Sequence, residues 1–355
     1  FVYYFKDHPP SLYITMSQLF GLGNPLLDVS VQTTDDSLFE KYNLKHADAI
    51  LAADEHIPLY AEIQAEPYTP EYVAGGSCQN SVRVAQWMMQ QEGATAYTGC
   101  VGKDATAEKL TQCCSADGVK PVYAVSETHR TGVCAVLIKE KDRSMCTDLQ
   151  AASTFTAENL EVSKDVWSAS KAYLVEGYFL TVSPESVLTL AKHAMANDKL
   201  FAFSLSAPFI CQFFTDKVKA TLEYTNLVFG NETEAETIAT AMGWELGQDY
   251  DAIALKLAEL PFAEGVVNKR KVVITCGSKA TVVAYDGVVT RYDVPAMPVE
   301  EQVDFNGAGD SYSGAFIAAI LMGKPEKAHD AGCYAAQQII RVSGTQLSGK
   351  PTFEF

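Results

Sequence analysis

The chain has 355 residues, 48% of them hydrophobic, and a formal charge of −17. That length suits one large domain or a large and a small one, with enough apolar residues to build a core without disulfide staples. The acidic balance excludes broad nucleic-acid or anionic-membrane binding, which needs clustered Lys and Arg, so the charge of any anionic ligand must be met locally.

The aromatic start "FVYYFKDHPPSLYIT" is broken by Lys6, Asp7 and two prolines before it can form a signal-peptide core. Residues 1–15 precede Met16, which could itself begin the chain, and are read as an extension outside the fold. "LFGLGNPLLDVSV" then reads as a strand. It sets Asn24 and Asp28 on one face if the strand is regular. A carboxylate between apolar residues requires donors, which vicinal sugar hydroxyls would supply; a turn Asn and a strand-end Asp are the plainer alternative. Residues 29–74, with 130–149 further on, are richer in charges, turns and short extended runs, and predict a small sheet standing off the main body.

In "VAGGSCQNS", Gly75 and Gly76 permit close approach of a ligand, and Ser77 and Asn80 offer hydrogen bonds; a simple turn before the helical pattern "NSVRVAQWMMQQ" fits as well. "TAYTGCVG" and "GVCAVLIKE" read as strands, and the latter leads to Arg143 in "KEKDRSM", either a solvated hairpin tip or a mobile cation for phosphate. After the strand "KAYLVEGYF", Tyr178 is either core or a stacking face for a flat ring. The helix "SPESVLTLAKHAMAN" and the strands "KLFAFSLSA" and "NLVFGN" follow. Asn231 and Glu234 then open a helix, as caps or as oxygen ligands suited to a largely hydrated Mg2+. The helix "YDAIALKLAEL" and the strand "KVVITCG" complete an alternation that predicts an α/β fold, a parallel sheet between helices with ligands at the carboxyl ends of the strands.

Near the end stands "VDFNGAGDSYSGAFIAAILMG". Gly307, Ala308 and Gly309 allow a sharp turn into a helix ended by Gly323 and Pro325. A helix N-terminus holds an anion on its free amides without any lysine. Asp310 falls in the first turn, where it either complements the dipole or does chemistry. No run of about 18 apolar residues occurs, and nine scattered cysteines lack any CxxC, which fits core filler in a reducing compartment. Cytoplasm, or cytoplasm and nucleus, is the expected location.

The strings "NPLLD", "GGSCQNSVRVAQWM", "LTVSPESVL", "LSAPFI", "FGNETEA", "DFNGAGDSYSG" and "GCYAAQQIIR" resemble, in this order, those of adenosine kinases, members of the ribokinase family. The resemblance implies a large domain of central, mostly parallel sheet and flanking helices (17–28, 75–129 and 150–355) and a small α/β lid (29–74 and 130–149). It makes Asp310 the catalytic base and Gly307, Ala308 and Gly309 the anion hole. Asn231 and Glu234 match the element that holds the Mg2+ waters, and Arg143 the lid arginine facing the transferred group. Asp28, Gly76 and Asn80 match positions that hold the ribose 2′ and 3′ hydroxyls. Asn24, Cys134, Met145, Leu149 and Tyr178 fall where the family lines its base pocket, and Thr275, Gly277 and Asn306 near ATP. Phe305, Ala49, Asp148 and Cys333 depart from the family's usual threonine, glutamine, asparagine and histidine, which bears on base selectivity and ATP affinity.

The expected reaction is phosphorylation of the adenosine 5′-hydroxyl by ATP with Mg2+, in a monomer that binds neither nucleic acid nor membrane. With an ordinary pKa of about 3.9, Asp310 would orient the hydroxyl and take its proton only as the bond to phosphorus forms. A ribokinase-type kinase for another nucleoside or a free sugar, or a silent nucleoside-binding protein of the same fold, are the alternatives.

Overall fold

Period-two alternation along single strands sorts the core into two layers. In the computed structural model, which describes residues 17–46, 48–139 and 142–355 with the side chains of residues 49, 142 and 143 excepted, Leu19, Ala172, Leu174 and Ala202 pack on one face of a sheet. Phe20, Leu22, Tyr173, Val175, Phe201 and Phe203 pack on the other. All are buried, and such strands read as continuous apolar runs because helices cover both faces. The extension expected over 1–15 lies outside the described residues.

The sheet has nine strands in the order Val288–Tyr292, Thr281–Tyr285, Lys271–Thr275, Leu227–Asn231, Leu200–Ser204, Ala172–Glu176, Leu19–Leu22, Thr95–Thr98 and Lys120–Pro121. Pairing is parallel from Lys271–Thr275 through Lys120–Pro121, and the first two strands of that order form an added antiparallel hairpin. This is the α/β arrangement that the resemblance implies: a large, mostly parallel central sheet flanked by helices. A second sheet has five strands, Ala49–Leu51, Asp142–Asp148, Val133–Lys139, Leu26–Gln32 and Glu71–Gly75 in that order.

The single strand expected over "LFGLGNPLLDVSV" is two: Leu19–Leu22 belongs to the large sheet and Leu26–Gln32 to the small one. Pro25 has no amide to donate to a ladder, so pairing stops there and the chain changes sheet. The break is tightly packed, since a Cβ on Gly99 would overlap the Gly23 carbonyl and the Pro25 ring. "TAYTGCVG" splits at the same Gly99 into Thr95–Thr98 and Cys100–Gly102. Asn24 therefore lies between the sheets, and Asp28 within the small one, rather than on one regular strand face.

Two helices position the chemistry. Ser77–Met89 starts after Gly76, whose φ of 92° is accessible to glycine, and Ala308–Leu321 starts after Gly307, with φ of 77°. They run side by side so closely that a Cβ on Gly314 would overlap the Ser81 carbonyl. Among the described residues no helix is long and apolar enough to cross a membrane.

Candidate active site

The carboxyl ends of Leu19–Leu22, Ala172–Glu176, Leu227–Asn231 and Lys271–Thr275 share one edge of the large sheet, and the small sheet joins it through Asn24–Pro25. Asp310, half-buried in the first turn of its helix, accepts from Ser77 Oγ at 2.7 Å on Oδ1 and from Asn80 Nδ2 at 3.2 Å on Oδ2. Both donors lie on the first turns of the neighbouring helix, so the two glycine-led segments meet at one carboxylate. Ser311 donates its amide to the Gly307 carbonyl at 2.8 Å, the first helical bond. The amides of Gly309 and Asp310 precede it, which is the position where helix N-termini receive anions.

The substrate candidates cluster around the glycine pair. A Cβ on Gly75 would overlap the Asp28 carboxylate, and one on Gly76 the Asn24 carbonyl. Asp28 stands in register with Cys134 on the parallel strand beside it, and Thr147 Oγ1 donates to Cys134 Sγ at 3.3 Å. Cys134, Val136, Ile138 and Met145 form their own apolar cluster. Half-buried Leu149 lays its carbonyl over Gly132 at the end of this sheet. Asp148, one of the departures, is bound by Arg130 at 2.7 Å.

Asn231 and Glu234 form a complete capping box. Asn231 Oδ1 accepts from the Glu234 amide at 2.9 Å, while Glu234 accepts from the Asn231 amide at 3.0 Å and from Asn231 Nδ2 at 2.9 Å. Asn231 is in register with Thr275, and Gly277 follows with φ of 58° and open space around its Cβ position. Asn306 is held through both its amide and its side chain by Asp304 Oδ1, each at 2.9 Å. Phe305 is 66% exposed at that turn, and Cys333 is buried with Sγ 3.4 Å from His329.

Three carboxyls share this edge and each is lifted above its ordinary range. Burial lifts Glu234 to about 7, the Asn231 amide opposes it, and Asp310 adds to it. Burial, then Asp310, holds Glu176 well up. Burial raises Asp310 as well, against the hydrogen bonds from Ser77 and Asn80. The partners of all three are hydroxyls and amides.

Glu176 was missed in the sequence. It ends the Ala172–Glu176 strand, is 4% exposed, and accepts from Ser81 Oγ at 3.3 Å. A lone carboxylate closing an otherwise apolar run was the available signal. Phe209 was missed too; its ring meets that of half-buried Tyr178 with centroids 6.0 Å apart. Arg143 has its backbone in register with Ile138 in the small sheet, and its side chain, like that of Ala49, lies outside the described residues.

The pattern of the pfkB family of carbohydrate kinases matches residues 37–352. Adenosine kinase 1 of Arabidopsis thaliana is 44% identical over 339 residues, 94% of this chain and 97% of that relative. The crystal structure of Anopheles gambiae adenosine kinase in complex with P1,P4-di(adenosine-5) tetraphosphate is similar with a TM-score of 0.85 and 39% identity, over 95% of this chain and 99% of that one. Adenosine kinase from Schistosoma mansoni in complex with adenosine and AMP is similar with a TM-score of 0.84 and 35% identity, over 96% and 100% of the two chains. With the large mostly parallel sheet and the smaller five-stranded one, the glycine turn before Asp310 and these matches together, the chain belongs to the pfkB family of carbohydrate kinases and, within it, to the adenosine kinases.

Proposed function

We propose that the protein transfers the γ-phosphoryl group of ATP to the 5′-hydroxyl of adenosine, giving AMP and ADP in purine salvage. The observation that carries this reading is the position of Asp310, at the amide-rich start of a helix and bonded to Ser77 and Asn80, one residue and four beyond the Gly76 turn that closes on Asn24. Asp28, Gly76 and Asn80 hold the ribose, while Cys134, Met145, Leu149 and Tyr178 line the space for the base. Asp310 aligns the 5′-hydroxyl and accepts its proton as the oxygen–phosphorus bond forms. The amides of the Gly307–Gly309 turn meet charge on the phosphoryl oxygens, and Thr275, Gly277 and Asn306 lie toward the nucleotide.

The raised carboxyls suit a divalent cation, because a positive charge nearby would let Glu234 ionise at neutral pH. Glu234 and Asn231 are committed to their capping box, so they fit an ion held through water rather than directly. Mg2+ bound with ATP would offset phosphate charge. Residues 29–74 and 130–149, which carry most of the small sheet, act as a lid that brings Arg143 toward the transferred group and excludes water. The protein works as a cytoplasmic monomer without nucleic-acid or membrane partners.

ADP release with adenosine, inosine, guanosine and ribose under Mg-ATP tests the reading; adenosine should give the highest kcat/KM. Preference for ribose would move the chain to the sugar kinases, and no turnover with any would leave a binding protein. Hydrogen exchange with and without adenosine tests the lid: equal protection of both segments contradicts closure.

A further inference from the structure

Arg83 is 3% exposed on the Ser77–Met89 helix, one turn beyond Asn80. Nε donates to Asp117 Oδ2 at 2.6 Å, Nη1 to the Ala74 carbonyl at 2.6 Å and to Asn80 Oδ1 at 3.1 Å, and Nη2 to the Thr345 carbonyl at 3.0 Å. A guanidinium has donors only. The Asn80 atom facing it must therefore be the oxygen, which leaves Nδ2 to face Asp310. A reversed amide would set N–H against N–H at Arg83 and oxygen against carboxylate at Asp310. The remaining bonds reach both flanks of the site: Ala74 precedes Gly75, and the Thr345 hydroxyl fills the space that a Cβ on Gly307 would take.

We propose that Arg83 is a positioning residue for phosphoryl transfer, locking the Asn80 amide in the orientation that donates to Asp310 and pinning the Thr345 segment over the Gly307 turn. This rests on the reading of Asp310 as the base. Asp117 balances the charge of Arg83, so the role is the planar fork, which lysine lacks.

The test compares Arg83→Lys, Asn80→Ala, their double variant, Asp117→Asn and Asp310→Asn by steady-state kinetics with adenosine and Mg-ATP, alongside Tm. Arg83→Lys should lower kcat about tenfold with a smaller change in the adenosine KM. Most of that loss should vanish in the Asn80→Ala background, because the lysine then has no amide left to release. Asp117→Asn, which keeps the other bonds, should retain wild-type kcat, and it keeps the proposal testable if Arg83→Lys folds poorly. A wild-type kcat in folded Arg83→Lys, full additivity in the double variant, or a tenfold loss in Asp117→Asn would each overturn the proposal. Unimpaired turnover in Asp310→Asn would instead remove the base reading on which it rests.

Discussion

Gly314 lies against the Ser81 carbonyl with no room for a Cβ, and one turn earlier on the same two helices Ser77 Oγ meets Asp310 Oδ1 at 2.7 Å. Residues four apart share a helix face, so the close crossing and the hydroxyl–carboxylate contact are one feature. Gly314→Val should push the helices apart, costing about 1–3 kcal/mol of stability and lowering kcat as Ser77 leaves Asp310. Tm and kcat measured on one preparation check this. A destabilised variant that turns over at the wild-type rate would show the two contacts to be independent.

Asp310→Asn keeps the shape of the side chain and removes its capacity to take a proton. The expected outcome is a fall in kcat of at least about a hundredfold, with adenosine still bound in calorimetry. Normal turnover would assign the carboxylate to structure alone.

Gly309 offers a cleaner probe of the anion turn, because nothing lies within 4 Å of its Cβ position and its backbone is not left-handed. Gly309→Ala should leave Tm unchanged or slightly higher, since alanine favours the helix by up to about 1 kcal/mol. If phosphoryl oxygens occupy that space, kcat/KM for ATP should nevertheless fall about tenfold or more. Wild-type kinetics would place the phosphoryl group elsewhere.

Glu234 yields a pH dependence with a definite sign. Its carboxyl, lifted mainly by burial from 4.5 to about 7, keeps its proton in the folded state over a range where the unfolded chain has lost it. Folding binds protons there, so this group's contribution is fully present below 4.5 and is lost as pH rises through about 7. Glu176 and Asp310, also raised, contribute with the same sign. In ligand-free protein, Glu234→Gln should therefore gain Tm relative to wild type as pH rises from 4.5 to about 7. A Tm difference independent of pH across that window would contradict the shift.

Much of this was readable in advance because it is local. The runs around Ala172–Glu176 and Leu227–Asn231 announced buried strands, and "FNGAGDS" announced a glycine turn into a helix. Pro25 carried a signal that was not used: a residue without an amide inside an apparent strand marks a break, and here the chain changes sheets. Glu176 was hidden by its surroundings, since a carboxylate at the end of an apolar run looks the same whether it caps the strand or faces a second carboxylate.

The sequence by itself determined the alternation of strands and helices, the glycine turns at Gly76 and Gly307, and the capping box at Asn231 and Glu234, all set by backbone preference and spacing within a few residues. Only the tertiary structure decided that Asp310 meets Ser77 and Asn80, 233 and 230 positions away, and that Arg83 reaches Thr345 across 262. Spacing says which side chains share a face. Which distant face they meet depends on strand order and on how closely two helices can approach, and here a missing Cβ at Gly314 sets that distance.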